Sequence, residues 1–85
     1  MIARRIVYHG TFSQDNVSTV FDITRKVDIT GFVKANGTNQ IELNLEGDPS
    51  MIKLIQHLVE RAVTITDKTV DQIPYQNYSG VTLLN

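Results

Sequence analysis

The chain has 85 residues, a formal net charge of −1 and no cysteine, which leaves room for one domain (residues 1–85) and excludes disulfides, zinc–thiolate sites and thiol nucleophiles. Apolar residues make up 41% and charged residues 20%, the balance of a globular protein whose small size limits its core. A pI near 6.0 without a basic run argues against a nucleic-acid partner, and no apolar stretch reaches the roughly 18–20 residues of a membrane span.

Ile6, Tyr8 and Phe12 recur at even positions, and this period of two predicts a first strand over residues 3–12. The polar segment Ser13-Gln14-Asp15-Asn16 follows, with Asp15 or Asn16 as candidate helix cap. Val17, Val20, Phe21, Thr24 and Val27 then fall on one helical face. A second strand is expected over residues 29–35. Asn36-Gly37 signals a hairpin, because this pair tolerates the positive φ angles of a type I′ turn. Ile41, Leu43 and Leu45 alternate with Glu42, Asn44 and Glu46, the pattern of a strand with one face in the core and one in water. Asp48 and Pro49 start a second helix as N-cap and first helical residue. Its apolar face holds Met51, Ile52, Leu54, Ile55, Leu58, Val59 and Ala62, and Leu58 is expected in the core. Residues 63–65, 70–73 and 81–84 read as strand material, interrupted at Pro74.

The order strand, helix, strand, hairpin, strand, helix, strand predicts an α+β chain with the ferredoxin-like βαββαβ arrangement. Four or five antiparallel strands would carry both helices on one face. Three blocks of sequence then bear on family. Gly31-Phe32-Val33-Lys34-Ala35-Asn36-Gly37 resembles the acylphosphatase pattern Gly-Trp-Val-x-Asn followed by a turn. Leu45-Glu46-Gly47-Asp48-Pro49 resembles the Glu-Gly-Asp segment before that family's second helix, and Tyr8-His9-Gly10 resembles the end of its first strand. The similarity covers nearly the whole chain.

The resemblance implies a phosphate-binding loop after Gly10, of the form Gly-x-Val-Gln-Gly-Val-x-Phe-Arg. Backbone N–H groups and the arginine would cradle phosphate there, and a strand asparagine would position the attacking water. Such a site needs no metal, no cofactor and no covalent intermediate. This sequence departs from the pattern at those places. Ser13, Gln14, Asp15, Asn16, Val17 and Ser18 form the candidate anion-binding loop. Ser18 stands at the arginine position when counting forward from Gly10, and Val17 when counting back from Gly31. Gln14 replaces the second glycine, and Asp15 adds a carboxylate that repels anions. Ala35 aligns with the asparagine. Asn36 is one step along the strand and points the other way unless a bulge intervenes.

Other groups offer weaker candidates. Arg4, Arg5 and Lys34 are possible anion contacts, more simply read as solvated surface cations. His9 and His57 lack carboxylates at metal-ligand spacing, so no metal site is expected. Tyr75 and Tyr78 either pack over the sheet or form a contact patch. The start Met1-Ile2-Ala3-Arg4-Arg5 lacks an apolar export segment, so a cytoplasmic location is expected. The reading is an acylphosphatase-like domain that has lost acyl-phosphate hydrolysis and serves as a binding or regulatory module for a protein partner. Its alternatives are an active acylphosphatase binding a small anion or acyl phosphate through an atypical site, and an unrelated ferredoxin-like ligand-binding or assembly module.

Overall fold

In the computed structural model, which describes residues 1–84, the chain runs β1 (Ile2–His9), α1 (Gln14–Arg25), β2 (Thr30–Asn36), β3 (Gln40–Gly47), α2 (Pro49–Ala62), β4 (Asp67–Ile73) and β5 (Val81–Leu84). The strands form one sheet in the order β4-β1-β3-β2-β5. β1 pairs antiparallel with β3 and β4, and β2 antiparallel with β3. β5 joins β2 in parallel, so the sheet is mixed at its fifth strand. This is the ferredoxin-like arrangement with an added edge.

Both helices start where a side chain can hold the free N–H groups of a first turn. For α1 the cap is Ser13, and neither Asp15 nor Asn16 serves. Asn16 instead completes a capping box with Ser13, taking the part a Glu or Gln usually plays. Asp48 caps α2 with Pro49 inside the first turn, as its sequence predicts. Hydrogen bonds from Ser50 hold the Asp48 carboxyl below its usual range.

The hairpin falls where Asn36-Gly37 places it, but its turn differs from the expected one. Asn36 pairs with Gln40 across a loop of three residues, and only Gly37 there takes a positive φ, whereas a type I′ turn needs two. Upstream, Gly31 has φ 140 and lies so close to the Asn44 carbonyl that no side chain fits. This close approach accounts for the glycine in Gly31-Phe32-Val33.

The registers sort the side chains onto two faces. Ile6, Tyr8, Val33, Ile41, Leu43 and Leu45 share the face packed under the helices, against Val17, Val20, Ile52, Ile55 and Val59. Burying such side chains contributes about 1.5–3 kcal/mol each. Leu54 and Leu58 do not join them, being 40% and 39% exposed. The apolar stripe of α2 is wider than the surface the sheet offers, so its flank remains in solvent. Residues 63–65 form the connector to β4 and no strand.

The other face of the sheet carries Arg5, Phe32, Lys34, Asn44 and Glu46. The polar side of β3 does not all lie in water: Asn44 and Glu46 are 6% and 2% exposed. β4 and β5 lie on opposite edges, so residues 74–80 must cross from one edge to the other. That segment, the strap, runs against the helix-free face and covers Glu46.

Candidate functional site

The residues following β1 decide whether an anion can be held. Gly10 and Phe12 turn their N–H groups to the β2–β3 hairpin, donating to Asn39 O at 3.1 Å and Thr38 O at 2.7 Å. Phe12 is itself buried at the edge of the core. The helix begins at once. Ser13 N–H donates to Asn16 Oδ1 at 2.9 Å, and Asn16 N–H donates to Ser13 Oγ at 3.1 Å. Val17 N–H donates to Ser13 O at 3.2 Å. The stretch expected as a binding loop is therefore a cap followed by helix: Gln14, Asp15, Asn16, Val17 and Ser18 all lie in α1. The N–H groups of Gln14 and Asp15, at the first two helical positions, have no helical acceptor, and Asp15 brings its carboxylate to the same turn.

Neither candidate arginine position can be filled as the resemblance implies. Val17 is buried in the core, and Ser18 is exposed on the second turn of α1. The cations elsewhere do not substitute. Arg4 pairs with Leu45 and Gln72 near the start of β1, about 20 Å along the strand from Gly10 at some 3.3 Å per residue. Arg5 forms an exposed ion pair with Asp71 at 3.8 Å on the helix-free face. Lys34 also lies on that face, opposite Glu42. Ala35 sits on the helix side at the loop end of β2. The unbroken register from Thr30 to Asn36 contains no bulge, so Asn36 points away to the helix-free face.

A second cluster sits near the same end of the sheet. The Tyr8 ring is buried, and its hydroxyl donates to Glu60 Oε2 at 3.0 Å. Lys68 Nζ donates to both Glu60 oxygens at 3.0 Å. Burial first, then the charge and hydrogen bond of Glu60, push the Tyr8 hydroxyl far above its ordinary range. Lys68 is thus neutralised by Glu60 and is no spare anion contact. Among the described residues, no group of His, Asp and Glu could hold a metal ion.

The opposite end of the sheet holds what sequence reasoning missed. Gln76 and Asn77 N–H donate to Glu46 Oε2, the latter at 3.2 Å, and Tyr78 N–H donates to Oε1 at 2.8 Å. Asn77 takes φ 60 between its neighbours, which lets three successive N–H groups converge as in an anion nest. Tyr78 meets Phe32 edge to face with ring centroids 5.8 Å apart. A cleft of about 460 Å³ opens beside this strap, between Asp28, Thr30, Asp48 and Tyr75. Alternation in β3 gave no signal for Glu46, because its burial depends on a segment 30 residues away. Tyr75 and Tyr78 belong to the strap that packs over the sheet.

No family model matches the sequence, and no curated protein matches it. Solved structures do resemble it. Acylphosphatase from Bacillus subtilis superposes with a TM-score of 0.89 at 18% identity, covering 100% of both chains. An acylphosphatase from Coxiella burnetii gives 0.85 at 15% identity over 96% of this chain and 90% of that one. HypF from T. kodakarensis gives 0.79 at 21% identity over 100% of this chain but only 12% of its own. At these identities the likeness speaks for the fold, and the chain has the acylphosphatase-like fold.

Proposed function

We propose that this chain is an acylphosphatase-like domain without acyl-phosphate hydrolysis that serves as a binding or regulatory module. One observation carries the reading: the Gly10 and Phe12 N–H groups, on the segment leading into the expected cradle, are spent on the Asn39 and Thr38 carbonyls. The missing guanidinium at Val17 and Ser18 and the exposed Asp15 act in the same direction. Hydrolysis of an acyl phosphate without metal or covalent intermediate rests on stabilising charge as it develops. Here the guanidinium is absent and two amides of the segment are turned away, while the open Gln14 and Asp15 amides share their turn with the Asp15 carboxylate. The occurrence of the same fold as 12% of HypF supports its use as a module.

Incubating the protein with benzoyl phosphate tests this directly. Phosphate release is expected to be little faster than in buffer. A turnover near 10 per second, ordinary for enzymes, would overturn the reading and make Asp15, Lys34 and Asn36 the first residues to mutate.

A further inference from the structure

The two edges of the sheet differ in a way that specifies a partner. The outer edge of β4 carries Asp67, Lys68 and Asp71, and charge on an edge strand discourages pairing with another chain. The outer edge of β5 is Val81-Thr82-Leu83-Leu84, with no charge and no proline. Gly31 N–H donates to Gly80 O at 2.9 Å, so the main-chain groups of residue 80 turn towards β2. Counting along the strand, Thr82 turns the same way, while Val81 and Leu83 turn their N–H and C=O groups outward.

We infer that this edge pairs with a second copy of the chain, β5 against β5 in antiparallel register with Thr82 on the two-fold axis. In that register Val81 lies opposite Leu83 of the other copy, and the reverse. Their outward N–H and C=O groups satisfy one another in two reciprocal pairs. The two Thr82 residues form the close, non-hydrogen-bonded pair, where threonines interact favourably. Leu84 falls opposite Gly80 of the other copy. Leu84 is 40% exposed, and a Cβ added at Gly80 would stand in open space. That space belongs to a cleft of about 210 Å³ on the helix-free face, lined by Phe32, Tyr78, Gly80, Thr82 and, at its far end along β5, the chain's own Leu84, room for a leucine side chain from the other copy beside Gly80. Each copy thus supplies the same projection and the same socket, as a two-fold interface requires. β4 is less suited to pairing with itself: centred on Thr69, for example, it would set Asp67 opposite Asp71. The inference goes beyond the hydrolysis reading and does not depend on the outcome of that assay.

Sedimentation equilibrium of the 85-residue chain tests it. A dimer is expected with a dissociation constant below about 1 mM. Gly80→Ile fills the socket and Leu84→Lys removes the projection, and each should raise that constant by about tenfold or more. Thr69→Lys on the β4 edge should leave it unchanged. Far-UV circular dichroism and urea midpoints like those of the wild type would show that the variants remain folded. A wild type that stays monomeric at about 1 mM overturns the inference. So does a dimer indifferent to both β5 variants, or one lost in Thr69→Lys.

Discussion

The two ends of the sheet handle backbone N–H groups in opposite ways. After β1, the Gly10 and Phe12 amides meet neutral carbonyls of the hairpin, and the first turn of α1 is closed by Ser13 and Asn16. At the strap, three successive amides converge on the carboxylate of Glu46. What makes an anion site is where a few amides point and whether a charge of the protein already occupies them. Here two amides at the end expected to be open, those of Gly10 and Phe12, are tied off by backbone while those of Gln14 and Asp15 keep no helical acceptor, and the end with a nest is filled from within.

The sharpest way to break this contrast is to empty the nest. Glu46→Ala leaves three amides without their acceptor beneath a strap that covers the sheet. Hydrogen bonds to a charged group contribute about 1.5–3 kcal/mol each, but the freed strap can turn to water, so a total loss of about 3 kcal/mol is expected. Urea unfolding measures it, and amide exchange at Gln76, Asn77 and Tyr78 should quicken. A loss below about 1 kcal/mol would mean that Glu46 does not hold the strap and that the two ends are alike.

What the sequence made legible follows from the range of the interactions involved. Helix stripes, the Asp48-Pro49 start and the Asn36-Gly37 hairpin depend on residues within a few positions, and all appear in the structure. The Ser13 cap was equally local, and Ser13-x-x-Asn16 carried its signal, but the longer polar run drew the helix start too far along. Glu46 was invisible because two-residue alternation describes one strand and not what crosses it. Leu58 was misjudged for a related reason: a stripe shows which residues share a face, not how wide the opposing surface is. The candidate site was half legible. The missing arginine can be read directly, whereas the diversion of the Gly10 and Phe12 amides depends on a hairpin almost 30 residues downstream.

A smaller effect is expected at the Tyr8 hydroxyl, which also lies at the loop end. Tyr8→Phe removes its bond to Glu60 and should cost about 1 kcal/mol at neutral pH. The folded state holds this phenol protonated beyond its ordinary value of about 10. Its contribution is therefore complete below that value and is lost as pH rises above it, where the unfolded chain ionises and the folded one does not. The gap between wild type and Tyr8→Phe should narrow above about pH 10. Urea midpoints at pH 7 and at pH near 10.5 measure this, and a gap that widens would refute the buried bond to Glu60.

The least change is expected from restoring only the charges of the loop. Asp15→Gly with Ser18→Arg removes the repelling carboxylate and supplies a guanidinium on the second turn of α1. The end of that helix offers an anion about 0.3–1 kcal/mol, and an exposed ion pair adds about 0–1 kcal/mol. Together they reach at most about 2 kcal/mol, short of the roughly 2.7 kcal/mol that corresponds to a dissociation constant of 10 mM. The balance would have to come from the Gly10 and Phe12 amides, and the double variant leaves these bound to Asn39 and Thr38. Inorganic phosphate should therefore bind this variant with a constant above about 10 mM, as weakly in practice as the wild type. Titration followed by amide chemical shifts measures it. Saturable shifts from Gln14 to Ser18 with a midpoint of about 1 mM would show that charge alone rebuilds the cradle. The direction of the amides would then no longer separate the two ends of the sheet.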